Sequence, residues 1–146
     1  FFDFLPFDLG QIKGYDIKIQ LYTVPGQVKY NATRKLVLRG VDGIVFVADA
    51  MEKQREKNIR SLNQLHGNLQ SYKDSIFRIT IVMQYNKMDL REQGIPLLPV
   101  PTLEKDLNSQ LKIPSFAASA VVGTNVVATL KRIISLTVTS IKKDLK

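Results

Sequence analysis

Two short segments, Gly43-Ile44-Val45-Phe46-Val47-Ala48-Asp49 and Ile79-Thr80-Ile81-Val82-Met83, are apolar on both faces of an extended chain, and they constrain the fold more than any other feature. A strand without a polar face has to be covered on both sides, which points to helices packed on either face of a mostly parallel sheet. Between the two segments, the stretch from Glu52 to Tyr72 places Ile59, Leu62, Leu65, Leu69 and Tyr72 at steps of three and four, predicting an amphipathic helix. After the second segment ends at Gln84-Tyr85-Asn86, a short helix is expected over Thr102–Leu111. It is entered after Pro101, with Leu103, Leu107 and Leu111 on one stripe. A short strand comes next at Ser115–Ser119. From Thr124 onward Val126, Val127, Leu130, Ile133, Ile134, Val138 and Ile141 predict a long closing helix with lysines in its last turn. At the front, Phe2, Phe4, Phe7 and Leu9 lead into Tyr15–Tyr22, which alternates with period two, and the short Gln11–Gly14 link predicts a hairpin. The expected fold class is α/β, a mostly parallel sheet with one antiparallel edge hairpin, as a single domain over residues 1–146.

Composition removes several chemistries. There is no cysteine, which excludes disulfides, a thiol nucleophile and cysteine metal sites, and the single histidine, His66, leaves no histidine cage or hydrolase triad. His66 is expected to sit partly exposed beside the apolar stripe of its helix. The formal charge is +8, but the basic residues are scattered. Their one dense cluster, Lys142-Lys143 and Lys146, has no interleaved aromatic for stacking bases, so it reads as a solvated helix end and no nucleic-acid partner is expected. No run approaches the ~18 apolar residues of a membrane span, and Phe1-Phe2-Asp3-Phe4 lacks the pattern of a signal peptide. A cytoplasmic location is expected.

In sheets of this kind ligands bind in the loops outside the carboxyl ends of the strands, which selects three loops. The loop after Tyr85 reads Asn86-Lys87-Met88-Asp89. A carboxylate accepts from the N1–H and exocyclic amine of guanine together, and adenine has no such donor pair on that edge. An asparagine can address the other edge of the purine and tie neighbouring loops. The aliphatic stem of Lys87 can cover the ring face while its ammonium stays in water. The loop after Tyr22 reads Thr23-Val24-Pro25-Gly26-Gln27. Gly26 lets a backbone N–H approach a phosphate, and Gln27 can orient a water for in-line attack on a γ-phosphoryl group. Taken alone, Pro25-Gly26-Gln27 reads as a turn. The third loop, Ser119-Ala120-Val121, offers backbone N–H groups to a purine carbonyl oxygen. Asp49, at the end of its strand, is expected to cap the adjoining segment rather than touch metal.

In this order, each after a strand, the three loops resemble the third, fourth and fifth sequence motifs of Ras-like small GTPases. The match is closer to the bacterial gliding-motility and polarity GTPases of the MglA type, in which the third motif carries Thr in place of Asp, as in Thr23-Val24-Pro25-Gly26-Gln27. Phe1-Phe2-Asp3-Phe4-Leu5-Pro6, Arg34-Lys35-Leu36, Gly40-Val41-Asp42-Gly43, Phe46-Val47-Ala48-Asp49 and Gln84-Tyr85-Asn86-Lys87 are also similar to that family. The resemblance implies a Ras-like P-loop NTPase fold and a GTP-binding, GTP-hydrolysing switch in cell polarity or gliding motility. It implies GTP/GDP and Mg²⁺ as ligands, Gln27 as the catalytic residue, and Asn86, Lys87, Asp89, Ser119 and Ala120 around the base. Gly26 would sense the γ-phosphate, and Thr23 would hold a magnesium-bound water. An MglB-type Roadblock-domain activator, motility effectors and a place of action at the cell pole are implied in the same way.

Two departures stand against these matches. No Gly-x-x-x-x-Gly-Lys-Ser/Thr stretch occurs, and the chain is expected to begin at the second strand of a Ras-like domain. The first strand, P-loop, helix and switch I loop, roughly 40–50 residues by the size of a βαβ unit, would lie outside it. The fifth motif has Val121 where many relatives carry Lys, and Ala117 where Glu is usual. The alternative expectation is a P-loop-less pseudo-GTPase acting as a protein-interaction module.

Overall fold

A computed structural model describes residues 3–12, 14–24 and 31–144. The chain gathers into two compact units, residues 1–39 and 40–146. In the first, β1 (Asp3–Ile12) and β2 (Tyr15–Thr23) form the expected hairpin, paired antiparallel from Asp3↔Thr23 to Ile12↔Tyr15. The register slips between Asp8 and Gly10. There the Gly10 N–H donates to Asp8 Oδ1 at 2.7 Å with Gly10 at φ +76°, a conformation a side chain would strain. The first unit also holds the short helix α1 (Asn31–Val37).

The second unit is a three-stranded parallel sheet in the order β3 (Gly43–Asp49), β4 (Thr80–Asn86), β5 (Ser115–Ala117), with helices on both faces. The hairpin is the antiparallel two-stranded sheet of the first unit, and with the parallel sheet it gives the α/β class expected from the sequence. Along β4, Ile81, Val82, Met83 and Tyr85 are all essentially inaccessible, as a strand apolar on both faces requires. Ile81, Met83 and Tyr85 join Phe46 and Ala48 of β3 in one core. That core takes Leu69 from α2 (Arg55–Ser71) and Leu103 and Leu107 from α3 (Val100–Leu107). The opposite face meets α4 (Val126–Asp144), where Gln84 Nε2 donates to Thr129 Oγ1 at 2.9 Å and Gly43 lies against Thr137 and Ile133.

Several element ends differ from the sequence reading. The helix expected from Glu52 opens as a 3₁₀ turn (Glu52–Gln54) before α2 begins. The helix expected over Thr102–Leu111 spans Val100–Leu107. It stops where Asn108 folds its side chain onto the backbone, accepting from Ile113 N–H and donating to Ile113 O, each at 2.9 Å. The strand expected over Ser115–Ser119 ends at Ala117. On α4 the inner line is carried by Thr129 and Ile133, while Val126 and Val127 are exposed. The apolar periodicity missed Thr129 because its hydroxyl is satisfied by Gln84 and by the carbonyl of Asn125, at 2.6 Å. Val47 of β3 is 53% exposed, since α4 meets that face of the strand at its Gly43 end. Asp49, Asn86 and Ala117 end the three strands, Asp49 and Asn86 as direct register partners.

Candidate functional site

The loops leaving those strand ends are tied to one another. Lys87 turns the chain out of β4 in the left-handed region, at φ +77°. This lets Met88 N–H donate to Ala118 O at 3.0 Å and Leu90 N–H to Lys87 O at 3.1 Å, opening the 3₁₀ turn Met88–Gln93. The Asn86 side-chain oxygen accepts from Ala120 N–H at 2.9 Å, and Ser119 Oγ donates to Asp89 Oδ1 at 2.9 Å. Ser119 is 2% exposed, and its backbone N–H donates to Thr124 O at 3.1 Å. The Asn125 amide donates to Ala117 O at 2.8 Å. The two loops are therefore tied into one unit by backbone bonds and by the side chains of Asn86, Asp89, Ser119 and Asn125.

Five of the residues selected from sequence, Asn86, Lys87, Asp89, Ser119 and Ala120, come together here. Asp89 is half-buried, and its Oδ2 has no hydrogen-bond partner among the described residues. The Asn86 amide N–H groups are likewise unengaged among them. An acceptor pair on one residue and an amide donor on another, at the carboxyl edge of a parallel sheet, suit a flat heterocycle with a donor edge and an acceptor edge.

Two of these residues also have partners within the protein. The Ala120 N–H donates to Asn86 Oδ1 at 2.9 Å. The Lys87 ammonium, on a side chain that is still partly exposed, donates to Asp49 Oδ2 at 2.8 Å. Asp49 does cap the adjoining segment, Oδ1 accepting from Met51 N–H at 3.0 Å, but the pairing with Lys87 was missed. Its only sequence signal is that Asp49 ends one strand and Lys87 follows the end of the adjacent one. Asn58 was missed as well. Buried at the start of α2, it takes the Asp49 N–H on Oδ1 at 3.1 Å and donates to Asp49 O at 2.8 Å.

Of the remaining selected residues, Thr23 closes β2 and is exposed, in the first unit. Gly26 and Gln27 lie outside the described residues. Among the described residues no group of three acidic or imidazole side chains is gathered to hold a metal, and Thr23 contributes at most one hydroxyl. These residues do not make a magnesium cage of their own. His66 is half-buried, as the sequence reading expected, and its ring meets Phe77 edge-on at 6.0 Å.

Beneath the loops, Glu104 of α3 receives three donors: Tyr85 Oη at 2.9 Å, Asn108 Nδ2 at 2.7 Å and Ser115 Oγ. Burial alone would raise its carboxyl, but the donors from Ser115, Asn108 and Tyr85 outweigh it and hold it below the ordinary value. Burial first, and then the Glu104 carboxylate, push the Tyr85 phenol up. This network braces the strand that delivers Asn86.

The Ras family profile matches residues 6–139 of the chain. The protein belongs to the Ras family. It is 46% identical over 143 residues, 98% of this chain and 71% of the relative, to the mutual gliding-motility protein MglA of Myxococcus xanthus (strain DK1622). The sequence is thus of the MglA type within a family of small GTPases that bind guanine nucleotides, generally with Mg²⁺. Among the described residues no helix is long and apolar enough to cross a membrane.

Proposed function

We propose that this Ras-family chain is a GTP-binding, GTP-hydrolysing switch of the MglA type, acting in gliding motility and cell polarity, with residues 1–146 belonging to one G domain. The observation that carries the reading is the Asp89 carboxylate, steadied on one oxygen by Ser119 and unengaged on the other. A carboxylate has about four lone-pair positions, so Oδ1 and Oδ2 together can still receive the N1–H and exocyclic amine of guanine. The Asn86 amide serves the opposite edge of the purine, and the Lys87 stem covers its face. Ser119 and Ala120 close the pocket through Asp89 and Asn86 respectively.

By the same reading Gly26 would sense the γ-phosphate and Gln27 would orient the attacking water; Mg²⁺ would supply neutralisation of phosphate charge, with Thr23 as the residue that would hold one of its waters. The strong similarity to a gliding-motility protein supports an MglB-type Roadblock-domain activator and motility effectors as partners, and a cytoplasmic, pole-associated place of action.

The test is a change of base preference. In the intact protein, Asp89→Asn leaves the guanine amine facing an amide and should weaken GDP by about a hundredfold or more. It should strengthen xanthosine diphosphate, which has a carbonyl at that position. A variant that kept the wild-type preference for GDP would overturn the assignment of this loop.

A further inference from the structure

We infer that Asp49 is a positioning residue for Lys87, holding its side chain in place beside the loop Asn86–Asp89 before a base arrives; the inference rests on the nucleotide reading above. Asp49 is a fixed anion. Its backbone N–H and carbonyl are both taken by the buried Asn58 side chain, and one carboxylate oxygen is taken by Met51 N–H. Only Oδ2 is left for Lys87, and the ammonium donates to it at 2.8 Å. Asp49 and Asn86 are register partners at the ends of adjacent parallel strands, so the anion stands one strand away from the base of the Lys87 side chain.

A free lysine samples many rotamers, and ordering its stem over a ring would cost that freedom at the moment of binding. Pairing with an immobile carboxylate orders the stem in advance. The Lys87 backbone is set by the same surroundings, held at φ +77° by the bonds of Met88 and Leu90. The pair is only partly shielded, with side-chain exposures of 43% for Lys87 and 25% for Asp49, so a moderate effect is expected.

The experiment measures dissociation of a ribose-labelled fluorescent GDP from the intact protein. Asp49→Asn keeps an oxygen for Met51 N–H but sets an amide against the ammonium. It should speed dissociation about three- to tenfold, with association changed by less than about twofold. Asp49→Glu should recover most of the slow dissociation, because the charge returns. Lys87→Met should dissociate as fast as Asp49→Asn, and the double variant no faster than the faster single. Asp49→Ser, which also keeps an acceptor for Met51 N–H without the charge, serves if Asp49→Asn does not fold. Additive effects, no change in Asp49→Asn, or failure of both uncharged variants to fold would overturn the inference. Asp89→Asn separates the two readings. If it shifts base preference while Asp49→Asn is silent, the positioning role alone falls; if it does not shift preference, the nucleotide reading itself falls.

Discussion

The side-chain oxygen of Asn86 accepts the backbone N–H of Ala120 at 2.9 Å, joining loops thirty-four positions apart in sequence. One residue thereby fixes the separation of the two loops that frame the candidate base site. Asparagine is suited to this because its oxygen can be spent on the tie while its amide remains a donor. The roles can be separated. Asn86→Ala should lose both, accelerating hydrogen exchange at Ala120 N–H and weakening GDP by about tenfold or more. Asn86→Asp keeps an acceptor, so exchange at Ala120 should stay slow while GDP affinity still falls. Equal exchange rates in both variants would show that the tie does not order the loop.

Gln27 is expected to matter for turnover and not for affinity. With the intact protein and the proposed activator, Gln27→Leu should lower hydrolysis by orders of magnitude and leave GTP affinity within about threefold. Single-turnover hydrolysis beside equilibrium titration decides this, and parallel losses in both would make Gln27 structural.

Gly43 and Thr137 define a tight approach of β3 to α4. A Cβ at position 43 would run into Thr137 Oγ1 and come within 3.4 Å of Ile133 Cδ1. Gly43→Ala should therefore destabilise the fold by about 1–3 kcal/mol in urea unfolding. Adding Thr137→Ala should return much of that. The Thr137 hydroxyl is buried without a hydrogen-bond partner among the described residues, so Thr137→Val alone should be neutral or stabilising. A destabilising Thr137→Val would mean that the hydroxyl is satisfied in solution.

The strands and the site loops were readable because their signals are local. A segment apolar on both faces announces burial at any single position, and Asn86-Lys87-Met88-Asp89 carries its chemistry within four residues. Ser119 and Ala120 were found by their place after the last strand. What stayed hidden depends on pairing at a distance. Asp49 meets Lys87 across thirty-eight positions, and Tyr85 meets Glu104 across nineteen. Neither pair disturbs a periodicity, so the first is revealed only by the register of β3 and β4 and the second only by the packing of α3. Thr129 escaped for the converse reason, a polar residue that interrupts an apolar stripe yet is buried because Gln84 satisfies it. Helix ends were misplaced where a side chain such as Asn108, not a glycine or proline, stops the helix.

The Glu104 network should give the protein a distinct acid limb. Tyr85, Asn108 and Ser115 all donate to the Glu104 carboxylate, which holds its protonation below the ordinary value of 4.5 despite burial. A carboxyl that is depressed in the folded state contributes stability that is fully present above its unfolded value. That contribution is lost as pH falls through the folded one. Glu104→Gln keeps the shape but replaces one acceptor oxygen by a donor, so a hydroxyl or the Asn108 amide is left facing an N–H. It should cost about 1–3 kcal/mol near pH 7. The deficit should narrow as wild type is acidified below about pH 4.5, where its own carboxylate becomes protonated. Asp106, held low by its hydrogen bond from Arg55, titrates on the same limb, but it does so equally in both proteins and drops out of the difference. Urea unfolding of wild type and Glu104→Gln from about pH 7 to about pH 3.5 reads this directly. Stability curves that ran parallel over the whole range would show that the Glu104 carboxylate is not the group whose charge the network holds.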